Sequence, residues 1–431
     1  MLSFSKPSSL EHSLFETYLY LGRRLEPILG FPLTFRRSPV RFATRGADRT
    51  DEGLGIRLPG ARRQDYPFQF IIPTTWATDS LVTQLAGRFA GMCESLADHS
   101  KKSWDLKARL IKEEPFLWDS LLVSTTHTGN QKFNAVEFIS LMRDGLMFRY
   151  EGQATNLGVI VTWNWHDLLP DLKSLGCGIR EFVQPFDLRE RLRADKSAHL
   201  LADGVGGFYI AHPKGVVGHL ALMPNALESG NDPEWELVPN EYRGLSSLLR
   251  GRDIALVTTS ASELYCLRHR SVFKWVLSGW RRVSGPPLSS AFQQHLPSAA
   301  RSALASLVLS LSQHRTGALL VFAKDATEIA RVGSPGVGAK FKEGPLARLG
   351  ETSTDVLAKL ASIDGAMIFD SDGNLRNAGV ILQVPARFTG AGEGARSAAA
   401  AYGSTFGLAI KISHDGPITV FENGKLVREA A

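Results

Sequence analysis

The sequence predicts an α/β chain in which a C-terminal mixed-sheet domain with flanking helices follows an α+β region rich in strands. Three observations predict it. After residue 285, amphipathic helical stretches alternate with short apolar runs bounded by Gly, Asp and Pro, which is the pattern of an α/β layer. Between residues 198 and 284, short β-type runs are separated by Gly, Pro, Asn or Ser. The segment Ser284-Gly285-Pro286-Pro287 can continue neither helix nor strand and reads as a linker. Three regions follow: 1–117, mostly helical; 118–284, strand-rich α+β; and 285–431, the C-terminal domain.

In the first region, Leu14, Tyr18, Leu21, Leu25 and Ile28 recur at helical spacing, as do Leu81, Leu85, Phe89 and Met92. The polar, Gly- and Arg-rich stretch Arg45–Tyr66 between them is expected to be an exposed loop. The second region opens with strand-like runs at Leu121–Ser124 and Val159–Trp163, then 206–211, 216–222, 254–258, 263–268 and 271–278. In the third, Pro297 opens a helix with Ala300, Leu304, Leu307, Val308 and Leu311 on one face, and Ala318–Ala323 is a compact strand. Thr352 with Asp355 has the spacing of a capping box before a helix carrying Val356, Leu357, Leu360 and Ile363. Ala366–Phe369, an Asp370–Gly373 turn, a strand at Ala378–Leu382, a helix near Gly394–Tyr402 and a closing strand pair at 408–413 and 418–421 complete the order.

Composition excludes several classes. Cys93, Cys177 and Cys266 are odd in number and widely separated, which fits neither a disulfide framework nor a zinc site and favours a reducing cytoplasm. No apolar run reaches the roughly 20 residues a spanning helix needs, so no membrane partner is expected. The net charge of +6 is spread thinly; residues 285–431 carry 14 basic and 12 acidic side chains, only +2 of it. Solvated surface charge explains this, and nucleic acid is not an expected partner.

Two motifs mislead. Gly333–Lys340 resembles a phosphate loop, but Ala339 stands where the lysine belongs and Lys340 where a magnesium-binding hydroxyl should be. Arg268-His269-Arg270 lies between two strand-like runs and reads as an exposed strand end or turn. The informative constellation is Asp364-Gly365-Ala366 followed by Gly394-Ala395-Arg396-Ser397. Asp364 stands at a helix-to-strand junction, where a carboxylate can meet a divalent metal or a ribose. Gly365 lets backbone come close to a ligand. Gly394 permits a tight helix start whose amides suit phosphate oxygens, and Arg396 adds a forked cation there. A turn and an ordinary capped helix account for the same residues about equally well.

These residues carry a resemblance. From about Ser298 to Val427 the chain resembles a diadenylate cyclase (DAC) domain of the type found at the N-terminus of the DNA-integrity scanning protein. The shared order is a helix, the Gly-Ala-Leu-Leu-Val strand at 317–321, Leu-Ala-Ser-Ile-Asp-Gly-Ala at 360–366, Ala-Gly-Val-Ile-Leu at 378–382, the Gly-x-Arg helix and a closing hairpin. The closing residues 412–418 resemble more specifically the bacterial DACNV probable sensor group. The resemblance implies a nucleotide-binding domain that takes ATP with Mg or Mn, and a face-to-face homodimer that joins two ATP molecules into cyclic di-AMP. It places Asp364 beside the 3′-hydroxyl and metal, as the catalytic residue of an active enzyme, and Leu382 near the adenine. Gly365, Ala366, Gly394, Arg396 and Ser397 would complete the lining.

The departures are specific. Arg396 matches the first Arg of the family's Arg-His-Arg motif, but Ser397 and Ala398 replace the His and the second Arg, and His414-Asp415 replaces a pair of glutamates. Phosphodiester formation needs the developing charge neutralised, and one lost donor costs about 3 kcal/mol of transition-state stabilisation. Binding needs less. The expectation is therefore a cytoplasmic nucleotide sensor that holds an adenine nucleotide or a cyclic dinucleotide without efficient cyclisation. An active, divergent dinucleotide cyclase and a purely structural scaffold are the alternatives.

Overall fold

The computed structural model describes residues 9–42, 47–50, 52–60, 66–74, 76–99, 106, 118–119, 121–122, 135–146, 149–150, 153–195, 198–224, 238–250, 253–259, 263–276, 279–284, 292–335, 346–386, 388, 394–414 and 416–430. Two compact units divide the chain. Met1–Leu29, Leu33–Leu227 and Gly244–Arg270 make the first; Gly30–Pro32, Glu228–Arg243 and Ser271–Ala431 make the second. Gly285, Pro286 and Pro287 of the expected linker lie outside the described residues.

The first unit begins with α1 (Ser9–Leu29), whose predicted stripe Leu14, Tyr18, Leu21, Leu25 and Ile28 is buried. Strands β1 (Thr34–Phe42), β2 (Ala47–Thr50), β3 (Gly53–Leu58) and β4 (Tyr66–Pro73) form a sheet in the order β1-β4-β3-β2. This corrects the expected loop at Arg45–Tyr66 and adds a four-stranded sheet to a region expected to be mostly helical. In β3, Ile56 and Leu58 alternate with the half-buried Arg57, so a period-2 apolar face was present under the Gly- and Arg-rich surface. Helix α2 (Ser80–His99) buries Val82, Leu85, Phe89 and Cys93, a face turned slightly from the predicted one.

Helix α3 (Ala135–Gly145), the short pair β5 (Arg149–Tyr150) and β6 (Gln153–Ala154), and β7 (Leu157–Val161) follow. Leu121 and Leu122, predicted in a strand, are helical. Next come α4 (Trp165–Ser174), β8 (Gly178–Asp187), α5 (Leu188–Ala194), α6 (Ala198–Leu201), β9 (Gly207–Ala211), β10 (Val216–Leu222), the part of α7 (Asn240–Leu248) from Gly244 on, β11 (Ile254–Thr258) and β12 (Leu264–Arg268). The strands of this unit run β12-β11-β7-β9-β10-β8. Only β7 and β9 among these neighbours pair in parallel. The fully buried β7, β9, β11 and β12 are apolar runs apart from Thr258 and Arg268 at the ends of β11 and β12, as strands covered on both faces require.

The second unit holds the hairpin β13 (Ser271–Val276) and β14 (Gly279–Arg282), with Trp275 opposite Trp280. It continues with α8 (Ser298–Gln313), β15 (Ala318–Ala323), α9 (Ala326–Val332), β16 (Gly333–Pro335), β17 (Ala347–Arg348), α10 (Thr354–Ala361), β18 (Ala366–Phe369), β19 (Asn374–Leu382), α11 (Ala395–Gly403), β20 (Gly407–Ile412), β21 (Ile418–Glu422) and β22 (Lys425–Ala430). The sheet order is β16-β19-β18-β15-β20-β21-β22, with β17 beside β19. It is mixed: β15 and β18 are parallel and the other pairs antiparallel. The strand β22 extends the predicted closing pair to three. Gly333–Pro335 is strand, and residues 336–340 of the phosphate-loop look-alike lie outside the described residues.

Alternation along β15 builds two layers. Leu319, Val321 and Ala323 pack in one cluster with Ile329 of α9 and with Ala400 and Ala401 of α11. The opposite face carries Leu320 and Phe322, and Phe322 stacks on Phe369 of β18 with ring centroids 4.9 Å apart. Helices α8 and α10 pack on each other and on the sheet. Helix α8 has no side-chain cap and no acid in its first turn. It forms because burying each of Leu304, Leu307, Val308 and Leu311 stabilises by about 1.5–3 kcal/mol, far more than the ~1 kcal/mol a cap contributes. The predicted capping box before α10 is not made. Ser353 is the N-cap, and Thr352 Oγ1 instead accepts from the Arg348 N–H at 3.0 Å.

Candidate functional site

Strand register places the predicted residues along one end of the second unit's sheet. Ala366 pairs with Leu319 on one side and Val380 on the other, and Ala318 pairs with Ile412. The residues just beyond these pairs therefore share an edge: Asp364 and Gly365 before β18, Gly317 before β15, Leu382 at the end of β19, and His414 after β20.

Asp364 sits at the predicted helix-to-strand junction, exposed, with Oδ1 accepting from the Gly365 N–H at 3.0 Å. Gly365 has φ +105°, and a β-carbon there would lie 2.6 Å from the Gly379 carbonyl carbon. The close approach this glycine permits here is to the backbone of β19. Ala366 is buried in the core. Leu382 is also buried: it belongs to the cluster of Val321, Ala400 and Ala401, and its Cδ1 lies against Gly403 of α11.

The start of α11 is built differently. Gly394 is its N-cap with φ +93°, and a β-carbon there would meet nothing within 4 Å. The backbone angle alone calls for glycine. Arg396 and Ser397 follow in the first turn. A β-carbon on Gly317 would lie 2.6 Å from Arg396 Nη1 and 2.8 Å from His414 Nε2, so guanidinium and imidazole converge over this glycine. The His414 Nδ1–H donates to the Arg315 carbonyl at 3.3 Å. Ser397, nearly buried, accepts from Lys411 Nζ of β20 at 2.9 Å. Asp415 lies outside the described residues.

Three cationic or ionisable side chains, Arg396 from α11 and Lys411 and His414 from β20 and its continuation, thus gather at one helix start, where backbone amides favour an anion. Sequence reasoning missed Gly317 and Lys411. A signal for Lys411 was available: it follows Ala409 by two residues on β20, on the face that meets α11. The convergence on Gly317 is a tertiary fact with no local signal.

Asp364 offers one carboxylate. That suits a magnesium or manganese ion shared with nucleotide phosphates and water, which needs only one or two protein carboxylates. Among the described residues no group of three or more His, Cys, Asp and Glu side chains could hold a metal without such a ligand. On the opposite end of the β18–β19 ladder, Asp370 has a structural role. Burial would raise its pKa, but hydrogen bonds from Asn374, Arg376 and the Asp372 N–H outweigh that and hold it below the usual carboxylate range.

The Arg268-His269-Arg270 triplet stays within the first unit's framework. Arg268 is buried at the end of β12, which corrects the expectation of an exposed strand end, and burial pushes its pKa down to about 10. The His269 Nδ1–H donates to the Leu249 carbonyl at 2.7 Å, and Arg270 takes the turn with φ +52°.

Comparison with known proteins adds three findings. Residues 306–426 match the DAC family model, described as DisA bacterial checkpoint controller nucleotide-binding. A cysteine double mutant of DacA from Staphylococcus aureus resembles the chain at 21% identity, over 31% of this chain and 87% of that one, with a TM-score of 0.24. A hypothetical membrane spanning protein from Bacillus cereus does so at 20% identity, over 31% and 64%, with a TM-score of 0.25. No curated protein matches the chain. Among the described residues, no helix is long and apolar enough to cross a membrane. The family match spans every residue of the sheet-edge site from Gly317 to His414, and the C-terminal third of the chain carries a DAC domain, of the DisA-type nucleotide-binding family.

Proposed function

We propose that the DAC domain binds an adenine nucleotide or a cyclic dinucleotide at the edge formed by Asp364, Gly317, Arg396 and the start of α11, and acts as a cytoplasmic sensor without efficient cyclisation. A single observation carries this reading. Beside Arg396, the residue following it is the nearly buried Ser397, tied to Lys411, so α11 presents one guanidinium where two and an imidazole would be needed to clamp a triphosphate in line. In this reading, the Arg396 guanidinium and the first amides of α11 take phosphate oxygens. Asp364 takes a ribose hydroxyl or shares a divalent ion brought with the nucleotide, which would neutralise phosphate charge. Leu382 contributes apolar backing from the core side, and a second copy of the domain can face the first across the bound nucleotide.

Isothermal titration with ATP and with cyclic di-AMP, in magnesium, tests it. One-to-one binding of either, lost in Asp364→Ala and Arg396→Ala, supports the reading; wild-type-like behaviour of both variants, or no binding at all, overturns it.

One observation favours active cyclisation as a second reading. His414, just after β20, meets Arg396 over Gly317, and Lys411 of β20 reaches the neighbouring Ser397, so an imidazole and an ammonium stand at the helix start beside its single guanidinium. Incubation with labelled ATP and manganese separates the two readings. A cyclic dinucleotide product that disappears in Asp364→Asn establishes the enzyme.

A further inference from the structure

The first unit contains a cavity of about 350 Å³ lined by Trp163, Trp165, His166, His212 and Lys214, among others. Its position follows from the sheet. Strands β7 and β9 are parallel, with Val161 opposite Ala211, and Thr162 N–H continues the ladder to the Ala211 carbonyl at 3.0 Å. Their carboxyl ends therefore deliver Trp163 and His212 side by side, with rings 5.2 Å apart at 82°. Between them the chain runs from β7 out to β8 at the far edge of this order and back to β9.

The walls are fixed on both sides. Trp165 opens α4 and lies over Gly218 of β10, where any β-carbon would overlap its ring, and it stands perpendicular to His219 with centroids 4.8 Å apart. On the opposite wall, the β9–β10 turn is closed by His212 N–H to the Val216 carbonyl and Gly215 N–H to the His212 carbonyl. In that turn the Lys214 N–H donates to His212 Nδ1 at 3.2 Å. The neutral His212 ring accordingly carries its proton on Nε2. Burial first, and the Lys214 charge second, lower its pKa and keep it neutral. No carboxylate is among the lining residues. The nearest on this helix, Asp167, is held by Asn164 Nδ2 at 2.7 Å and by Arg250.

Two indoles and two imidazoles offer flat surfaces and ring-edge donors, while Lys214 supplies an exposed ammonium with no acid beside it in the wall. The volume is that of a small ligand site and holds a single ring with a short polar arm. We propose that this cavity binds a small ring-bearing anion, a planar ring joined to a phosphate or a carboxylate, with the ring against Trp163 and the anion on Lys214. The ring stacks on the indole face of Trp163, and a lysine ammonium takes the anion as a point charge. The site is independent of the DAC reading, since all its residues belong to the first unit.

Titration calorimetry of the full chain with 5′-UMP and with benzoate tests it, the two probes separating phosphate from carboxylate. At least one is expected to bind one-to-one, to weaken at least tenfold in both Trp163→Ala and Lys214→Glu, and to recover in Lys214→Arg. Circular dichroism identical to the parent chain shows that these variants fold. Fluorine NMR of the chain labelled with 5-fluorotryptophan localises the event: the resonances of Trp163 and Trp165, assigned with Trp163→Phe and Trp165→Phe, are expected to shift. Failure of both probes at millimolar concentration, unchanged affinity in the two variants, or tryptophan resonances that stay in place would each overturn the proposal.

Discussion

The Asp364–Ala366 junction and the start of α11 carry the two motifs on which the family resemblance rests, yet the fold uses them for different purposes. At the junction, Gly365 is locked twice, by φ +105° and by the backbone of Gly379, and Ala366 is core. Only the exposed carboxylate of Asp364 is left for chemistry. At the start of α11 the glycine has open space, and the side chains Arg396 and Ser397 meet His414 and Lys411 from other segments. The lesson is that retention of an Asp-Gly-Ala triplet speaks mainly for the fold. The cations around α11 are the part that the proposed nucleotide binding rests on.

The sharpest way to break that comparison is to place the same methyl at both glycines. Gly365→Ala forces a left-handed backbone angle onto alanine and a clash with Gly379, and is expected to destabilise the domain by about 3 kcal/mol or more. Gly394→Ala meets only the backbone penalty, about 1 kcal/mol, because its space is open. Denaturant unfolding of both variants measures the gap, and equal losses would show that crowding at Gly379 is not what fixes Gly365.

Between these in size falls the test of the cations. Arg396→Ala is expected to weaken nucleotide binding by about 10- to 100-fold, the range of 1.5–3 kcal/mol for hydrogen bonds to charged groups, with stability nearly unchanged. Lys411→Met removes a charge but keeps much of the stem's packing, and should cost less, about fivefold at calorimetry. A larger effect from Lys411 than from Arg396 would move the anion from the helix start to β20.

The smallest effect concerns acid stability. The folded-state pKa of Asp370 is depressed by its hydrogen bonds, so its contribution is complete above the unfolded value of about 3.9 and fades as pH falls through the lower folded value. Asp370→Asn is therefore expected to flatten the loss of stability below about pH 4 while leaving ligand affinity untouched. An unchanged acid limb in thermal melts would remove Asp370 from the turn's stabilisation.

Much of the second unit was legible locally. The β15 and β18 strands appear at their predicted bounds, and α11 starts after its predicted glycine, because buried apolar runs and positive-φ glycines are strong short-range signals. The first unit was less legible. Strands β2 and β3 lay within an Arg- and Gly-rich stretch whose composition masks the short alternation of Ile56, Arg57 and Leu58. The capping box failed because Thr352 found a better acceptor role toward Arg348 within its own turn. Ser397 and Ala398 could be read as losses from the sequence, whereas the bond that ties Ser397 to Lys411 joins two elements and has no local signal.

By itself, then, the sequence determined the order of α8, β15, α10, β18, β19, α11, β20 and β21 but not α9, β16, β17 or β22, together with the helix-to-strand position of Asp364 and the single guanidinium on α11. Those follow from periodicity and residue identity within a few turns of chain. Only the tertiary structure decided that Gly365 answers to Gly379, that Arg396 and His414 meet over Gly317, and that Trp163 stands against His212. Each of these contacts joins residues far apart in the chain, and strand register and helix packing, not local propensity, set the distance between them.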